Sequence, residues 1–321
     1  MKSRFFIIFF MVICLPFFLS CEKAGNVETA EVSLTLNIPA SVATKAVSDG
    51  AKANIVYWAA FDESGNPIAG LNGSAVVTSK SAVINPTLVL HVPYNFVFWA
   101  HKGGTDGKNP AYNLDEFVSN GKVTVSYSGP ANDEDRDAFY THEVITIDKR
   151  VESRNRTIKL YRPFAQINFL ANDYAAVEAA GVDVGLTSKV EISNLPSVLN
   201  GLDGSVSGTA STSLTHAAVL SGDDKYFTVN KVKCGWYSMN YVLAGARNDN
   251  LTVVGKFNHT KLANEIVVTV NSVPYERNYR TNIIGDFMTE QAMITVTIDP
   301  AFVDADNDGN PDDINDGYII Q

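Results

Sequence analysis

An all-β protein built from antiparallel sandwiches is the fold class this sequence predicts, and three observations predict it. Apolar and polar residues alternate with a period of two in segment after segment, as in Val32-Ser-Leu-Thr-Leu-Asn-Ile38. Clusters of Gly, Pro, Asn, Asp and Ser separate those segments. A helical pattern is clear in one place, residues 174–180, with Asp173 as N-cap and Gly181 as stop. Many short strands with polar turns fold as two-layer sandwiches.

Each strand has its own warrant. Val32, Leu34, Leu36 and Ile38 predict a strand with one buried and one wet face. Residues 40–52 are small and polar and predict a protease-accessible linker. Residues 55–61 are richly apolar, and Ser64-Gly65-Asn66-Pro67 predicts the turn that follows. Residues 87–92 and 96–100 are expected to form a hairpin through Pro93-Tyr94-Asn95. Val123, Val125 and Tyr127 alternate, and 139–147 form the next strand. Pro163 cannot donate to a central ladder, so it marks a bulge or a switch between domains. Residues 201–213 are rich in Gly, Ser and Thr and predict a long loop or a weak edge strand. Residues 226–232, 236–242, 251–254 and 266–270 and the alternating Ile294, Val296 and Ile298 complete the set.

The start of the chain predicts its address. Lys2 and Arg4 precede an apolar run from Phe5 to Leu19, and Ser20-Cys21 follows. This is the layout of a secretory signal and is too short for a comfortable membrane span. A cysteine directly after a small residue points to a bacterial lipoprotein: residues 1–20 are the signal, and Cys21 becomes a diacylated, palmitate-bearing N-terminus. The alternative is a plain secretory signal with an incidental cysteine. Each buried acyl methylene contributes about 0.8 kcal/mol, so lipidation alone would hold the chain at a membrane surface.

Removing the signal leaves about 300 residues, which suggests two domains. It also removes Lys2 and Arg4, taking the formal charge from -10 to -12 (-10 less 2). A chain this acidic is a poor partner for nucleic acid or anionic headgroups. Of the three cysteines, Cys14 leaves with the signal, Cys21 would be acylated and Cys234 stays alone. With no internal disulfide, the exported chain must rely on its core.

No catalytic pattern stands out. His91, His101, His142, His216 and His259 are scattered, and His142-Glu143 lacks the second histidine of a zinc-protease helix. There is no Gly-x-Ser-x-Gly elbow and no glycine-rich phosphate loop. Lys233 could activate Cys234, but the strand pattern around it favours a packed thiol. Tyr57-Trp58 and residues 96–99 offer aromatic faces that fit core packing better than a sugar platform. The C-terminus carries one metal-like pattern. Asp304, Asp306 and Asp308 alternate before Gly309, with Asp312 as a further oxygen ligand, which suits a short Ca²⁺ loop. Asn315 stands where a helix-loop-helix site has its bidentate glutamate. The alternative is a solvated acidic tail, since no Lys or Arg follows Arg280.

Several segments resemble the fimbrillin-like (Mfa-like, type V pilin-like) lipoproteins of Bacteroidales. They are Val32-Ser-Leu-Thr-Leu-Asn-Ile-Pro39 with Ala43-Thr-Lys-Ala46, and Tyr57-Trp-Ala-Ala-Phe-Asp-Glu-Ser-Gly-Asn-Pro67. Further matches are Leu160-Tyr-Arg-Pro-Phe-Ala-Gln-Ile-Asn-Phe169, Asn240-Tyr-Val-Leu-Ala244, Asn278-Tyr-Arg-Thr-Asn-Ile283 and Val296-Thr-Ile-Asp-Pro-Ala-Phe302. The resemblance implies two transthyretin-like antiparallel β-sandwich domains in series, here 53–160 and 161–302. Residues 21–52 would be the lipidated N-terminus, first strand and linker, and 303–321 an acidic tail. It also implies proteolysis after a basic residue in the linker, release of the first strand, and filling of the vacated groove by a strand from another subunit. The matching strand is 32–38 and the matching basic residue is Lys45, where the family more often has arginine. An uncut linker would leave the lipid attached, as suits an anchor subunit. The acidic tail suits an apolar groove poorly; only Gly317-Tyr-Ile-Ile-Gln321 has a donor's character.

The expected function is therefore that of a surface-exposed fimbrillin-like subunit or adhesin. It would be lipid-anchored in the outer membrane and partnered by neighbouring pilus subunits and a host or glycan ligand. No cofactor is required, with Ca²⁺ as the one candidate ion. The alternative is a glycan-binding lipoprotein of a polysaccharide-capture system; an enzyme is not expected.

Overall fold

The structure, a computed structural model, describes residues 27–39, 50–182, 188–216, 225–229, 232–258, 264–289 and 294–299. Cys21, Lys45, the aspartates Asp304, Asp306, Asp308 and Asp312, and residues 317–321 lie outside the described residues.

Strands make up nearly all the regular structure, as the alternation predicts. In the N-terminal half, Phe139–Ile145, Tyr94–His101, Ile55–Phe61 and Pro67–Val76 form a four-stranded antiparallel sheet in that order. The expected turn closes its last hairpin: Asp62 N–H donates to Asn66 O at 2.9 Å, and Gly65 supplies φ +80°. The two central strands are apolar on both faces. Val56, Ala60, Phe96, Phe98 and Ala100 fill one core, while Ala59, Phe61, Val97 and Trp99 fill another. A sheet covered on both sides needs continuous apolar runs, which is why these segments do not alternate.

The first of those cores is closed by a three-stranded sheet, Asn155–Lys159, Ser33–Asn37 and Ser81–Ile84, extended by the pair Thr29–Glu31 with Thr87–Val89. The expected hairpin through Pro93 does not form. Thr87–Val89 pairs with Thr29–Glu31 in one layer, and Tyr94–His101 lies in the other. The intervening residues cross the sandwich, with His91 at φ +63° and its N–H donated to Ile147 O at 2.8 Å. Both layers need apolar strands, so two apolar runs in succession do not imply mutual pairing.

The C-terminal half stacks a five-stranded sheet on a four-stranded one. The order is Tyr226–Val229, Val232–Leu243, Phe164–Ala171, Arg280–Gly285, Thr295–Asp299 in the first. In the second it is Ala210–His216, Ser188–Leu195, Asn248–Phe257, Ile266–Tyr275. Phe169 packs edge-on against Phe257 and Phe287, at 5.2 and 5.4 Å between ring centroids. A further sheet, Val206–Ser207, Val198–Asn200, Lys122–Val125 and Tyr112–Asn113, pairs strands from both sides of residue 160. The larger core accordingly runs unbroken from Ala59 to Val296.

Two helical details differ from expectation. Tyr174–Ala179 is a helix followed by Gly181 at φ +69°, but the Asp173 side chain makes no cap bond to it. Its Oδ2 instead accepts from Met288 N, Thr289 N and Thr289 Oγ1, tying the helix start to a distant turn. A second short helix, Phe117–Asn120, buries Phe117 and ends at Gly121 in the left-handed region. Residues 201–213 resolve into a tight turn, a two-residue strand and the edge strand Ala210–His216.

Candidate functional site

The first strand is the feature on which the N-terminal sandwich turns. Ala30, Val32, Leu34, Leu36 and Ile38 point inward and are buried, while Ser33, Thr35 and Asn37 are half-exposed. Ser33–Asn37 lies between two partners, parallel to Asn155–Lys159 and antiparallel to Ser81–Ile84. Flanking backbone bonds continue the zipper along the segment. Leu90 N–H donates to Glu28 O and Val32 N–H to Pro86 O, both at 2.9 Å. Ser33 N–H donates to Arg154 O at 2.7 Å, and Leu160 N–H to Asn37 O at 2.9 Å. At the rim, Lys149 Nζ meets Glu28 Oε2 at 2.7 Å, and that contact holds the Glu28 carboxyl below its usual range.

Burying four large aliphatic side chains at about 1.5–3 kcal/mol each makes roughly 6–12 kcal/mol an upper estimate for this strand. Without it, the edges of Asn155–Lys159 and Ser81–Ile84 would face each other across a gap one strand wide, about 9–10 Å. Their unpaired backbone groups and the exposed apolar floor would then be a ready template for another strand.

The strand leaves the sandwich where the chain returns to it. A Cβ added to Gly50, itself at φ +75°, would lie 3.0 Å from Ile38 Cγ2, 3.0 Å from Phe139 Cζ and 3.2 Å from Pro39 O. Pro39 and Gly50 therefore lie close together.

Beside this point lies a buried clasp that sequence reasoning did not single out. Arg162 and Asp137 are both about 1% exposed and form a two-pronged ion pair. Nε donates to Oδ1 at 2.7 Å and Nη2 to Oδ2 at 2.9 Å. The guanidinium lies 4.7 Å from the centroid of the Phe139 ring. Burial lowers the Arg162 pKa, but Asp137 outweighs it and the net shift is upward. The Leu160–Phe169 motif therefore acts as a weld between halves; Pro163 O accepts from Ala244 N at 2.9 Å. A charged residue beside proline inside an apolar motif was the available signal.

The other sequence candidates are structural. Trp99 and Trp236 are buried, and Trp58 is half-buried and stacked on Phe96 at 6.1 Å. Cys234 is buried, and burial pushes its thiol up to about 11. His101 is buried and stacked on Tyr57, and burial pushes its pKa down to about 4. Among the described residues, no group of three or more His, Cys, Asp or Glu is placed to hold a metal ion. No described helix is long and apolar enough to cross a membrane.

Known proteins give the following likenesses. No curated protein matches the sequence. Among solved structures, a fimbrial assembly protein of Parabacteroides distasonis aligns with a TM-score of 0.48 at 10% identity, covering 85% of this chain and 96% of that one. The tip fimbrial protein Mfa3 of Porphyromonas gingivalis, truncated at its C-terminus, aligns with a TM-score of 0.48 at 11% identity, covering 84% and 99%. A Bacteroides thetaiotaomicron protein assigned to polysaccharide binding aligns with a TM-score of 0.47 at 12% identity, covering 90% and 98%. A family of unknown function, DUF6562, matches residues 24–315, and the chain belongs to that family.

Proposed function

We propose that this protein is a surface-anchored fimbrillin-like subunit or adhesin that works by β-strand complementation. The observation that carries the proposal is the position of Ser33–Asn37: inside a sheet rather than at its edge, and filling the core with alternate side chains. A groove of that shape accepts any strand with apolar residues at every second position. In the uncut chain the molecule complements itself. Cleavage at Lys45 would release the first strand together with the lipid on Cys21, and a strand from a neighbouring subunit would take its place.

The test is limited trypsin digestion followed by size analysis. A cut at Lys45 that yields SDS-resistant ladders supports the exchange. A cut protein that stays monomeric and keeps its near-ultraviolet spectrum overturns it. Three further parts of the proposal have their own measurements. Cys21 carries acyl chains and holds the protein in the outer membrane; metabolic labelling with a palmitate analogue should be lost in Cys21→Ala. Surface exposure should appear as protease sensitivity on whole cells. Asp304, Asp306, Asp308 and Asp312 form a Ca²⁺ loop, so calorimetry should show one saturable site that Asp306→Ala removes.

A further inference from the structure

Segments 27–28, 90–92 and 147–154 meet at one corner of the N-terminal sandwich. Leu90 N–H donates to Glu28 O at 2.9 Å, and His91 N–H to Ile147 O at 2.8 Å. Each segment shows one valine there: Val27 is 67% exposed, Val92 39% and Val151 65%. Single exposed valines are ordinary, but three on neighbouring segments mark an interaction surface. Val151 stands in a braced turn. Asp148 Oδ1 accepts from Arg150 N at 2.8 Å and from Ser153 Oγ at 2.9 Å, and Arg154 N–H donates to Val151 O at 3.0 Å. The charges around the valines are balanced. Lys149 Nζ meets Glu28 Oε2 at 2.7 Å, Arg150 Nη2 meets Asp148 Oδ2 at 2.7 Å, and Glu152 and Arg154 add one charge of each sign. These segments are therefore locally neutral in a chain of net charge -10.

We propose that this corner rests on the lipid surface that holds the Cys21 acyl chains, an inference that builds on the anchored N-terminus proposed above. Val27 stands six residues beyond Cys21, so the chain between them spans at most about 22 Å. The corner at Val27 therefore stays within that distance of the bilayer, and lipid is the partner within its reach. Apolar side chains ringed by charged ones settle at the boundary of headgroups and acyl chains. Because the charges are paired, the contact needs no anionic lipid and withstands salt. It also sets the direction of the first strand. Extended through Thr29–Glu31 and Ser33–Asn37, the chain from Val27 to Ile38 covers about 35 Å. Pro39 and Gly50 then lie at the end of the sandwich away from the membrane.

Fluorescence quenching on phosphatidylcholine vesicles that carry a spin-labelled lipid tests the proposal with the full, acylated chain. One preparation carries a fluorophore on Val92→Cys. Another carries it on Val76→Cys, at the opposite end of the sandwich, where Ile55 pairs with Val76 and His101. The Val92→Cys label should be quenched several-fold more than the Val76→Cys label, and Val151→Asp should abolish the difference. Equal quenching at the two positions, in a chain that floats with the vesicles, overturns this proposal alone. So does a difference that Val151→Asp leaves intact, since tether length by itself would give it, or quenching that appears only with anionic lipid. A chain that carries no palmitate and does not float overturns the anchored reading, and this inference with it.

Discussion

Ser33–Asn37 and Phe164–Ala171 open the two halves of the chain in the same way, yet they are held in place differently. Each has a parallel neighbour from late in its half, Asn155–Lys159 or Arg280–Gly285. Each has an antiparallel neighbour on its other side, Ser81–Ile84 or Val232–Leu243. The difference lies on the outer face. Ser33, Thr35 and Asn37 are half-exposed, whereas Phe164–Ala171 is buried at every position. There Gln166 accepts from Arg280 Nε at 2.9 Å, and Asn168 donates to Asn282 Oδ1 at 2.9 Å while accepting from Trp236 Nε1 at 3.1 Å. Ser33–Asn37 has one side-chain partner on its outer face, at its end, where Asn37 Oδ1 accepts from Ser81 Oγ at 3.0 Å. A strand held otherwise by alternate apolar residues and backbone bonds can be substituted by another of the same pattern. A strand with named polar partners on its second face cannot.

The largest expected effect breaks the comparison at its root. A chain lacking residues 27–39 gives up roughly 6–12 kcal/mol of burial, comparable with the whole stability of many domains. It should lose near-ultraviolet ellipticity in isolation and regain it when a peptide spanning 28–38 is added. Recovery with a scrambled peptide of equal composition would show that the groove does not read the alternation.

Next comes the clasp that joins the halves. Arg162→Ala leaves Asp137 buried without its partner and should cost about 3–5 kcal/mol. Replacing both by apolar residues of similar size should recover most of that loss. Chemical denaturation of the two variants checks this. Equal losses in single and double variants would mean that the pair contributes by its charge and not only by avoiding an orphan.

A third, smaller effect follows from His101. Its pKa falls from 6.5 to about 4 because burial disfavours the charged ring. The unfolded chain therefore binds a proton more readily than the folded one. The stabilisation is complete above pH 6.5, is lost as pH falls from there toward about 4, and declines no further below. The drop corresponds to about 3 kcal/mol. Thermal unfolding across that range should show the slope, and His101→Gln should flatten it.

Much of this contrast was legible in the sequence, for reasons that particular residues show. Val32 to Ile38 alternate because one face is wet, so both the strand and its buried side chains follow from the pattern. Residues 96–100 do not alternate because both faces are covered, and the same fact hid the crossover at Pro93 behind an expected hairpin. The parallel pairing of Ser33–Asn37 with Asn155–Lys159 leaves no local trace, since its partners meet only after the whole half has folded. Asp137 and Arg162 pair across 25 positions with no periodicity to join them. Asp173 followed the composition of a cap, yet its carboxylate found better donors in a remote turn.

The smallest single effect, at Thr35, sharpens the comparison most directly when set beside the matching position in the other half's first strand. Thr35 is half-exposed, with Leu34 and Leu36 on either side pointing inward. Thr35→Leu removes no core contact and keeps strand propensity, so it should shift stability by no more than about 0.5 kcal/mol. Asn168 is fully buried, and its amide joins Asn282 and Trp236. Asn168→Leu strips an acceptor from the indole N–H and a donor from Asn282, two lost buried hydrogen bonds at about 1–3 kcal/mol each. Urea midpoints of the two variants, at equal m-values, measure the difference. If they coincide, the polar row on Phe164–Ala171 does not distinguish the two strands, and replaceability must rest on the linker alone.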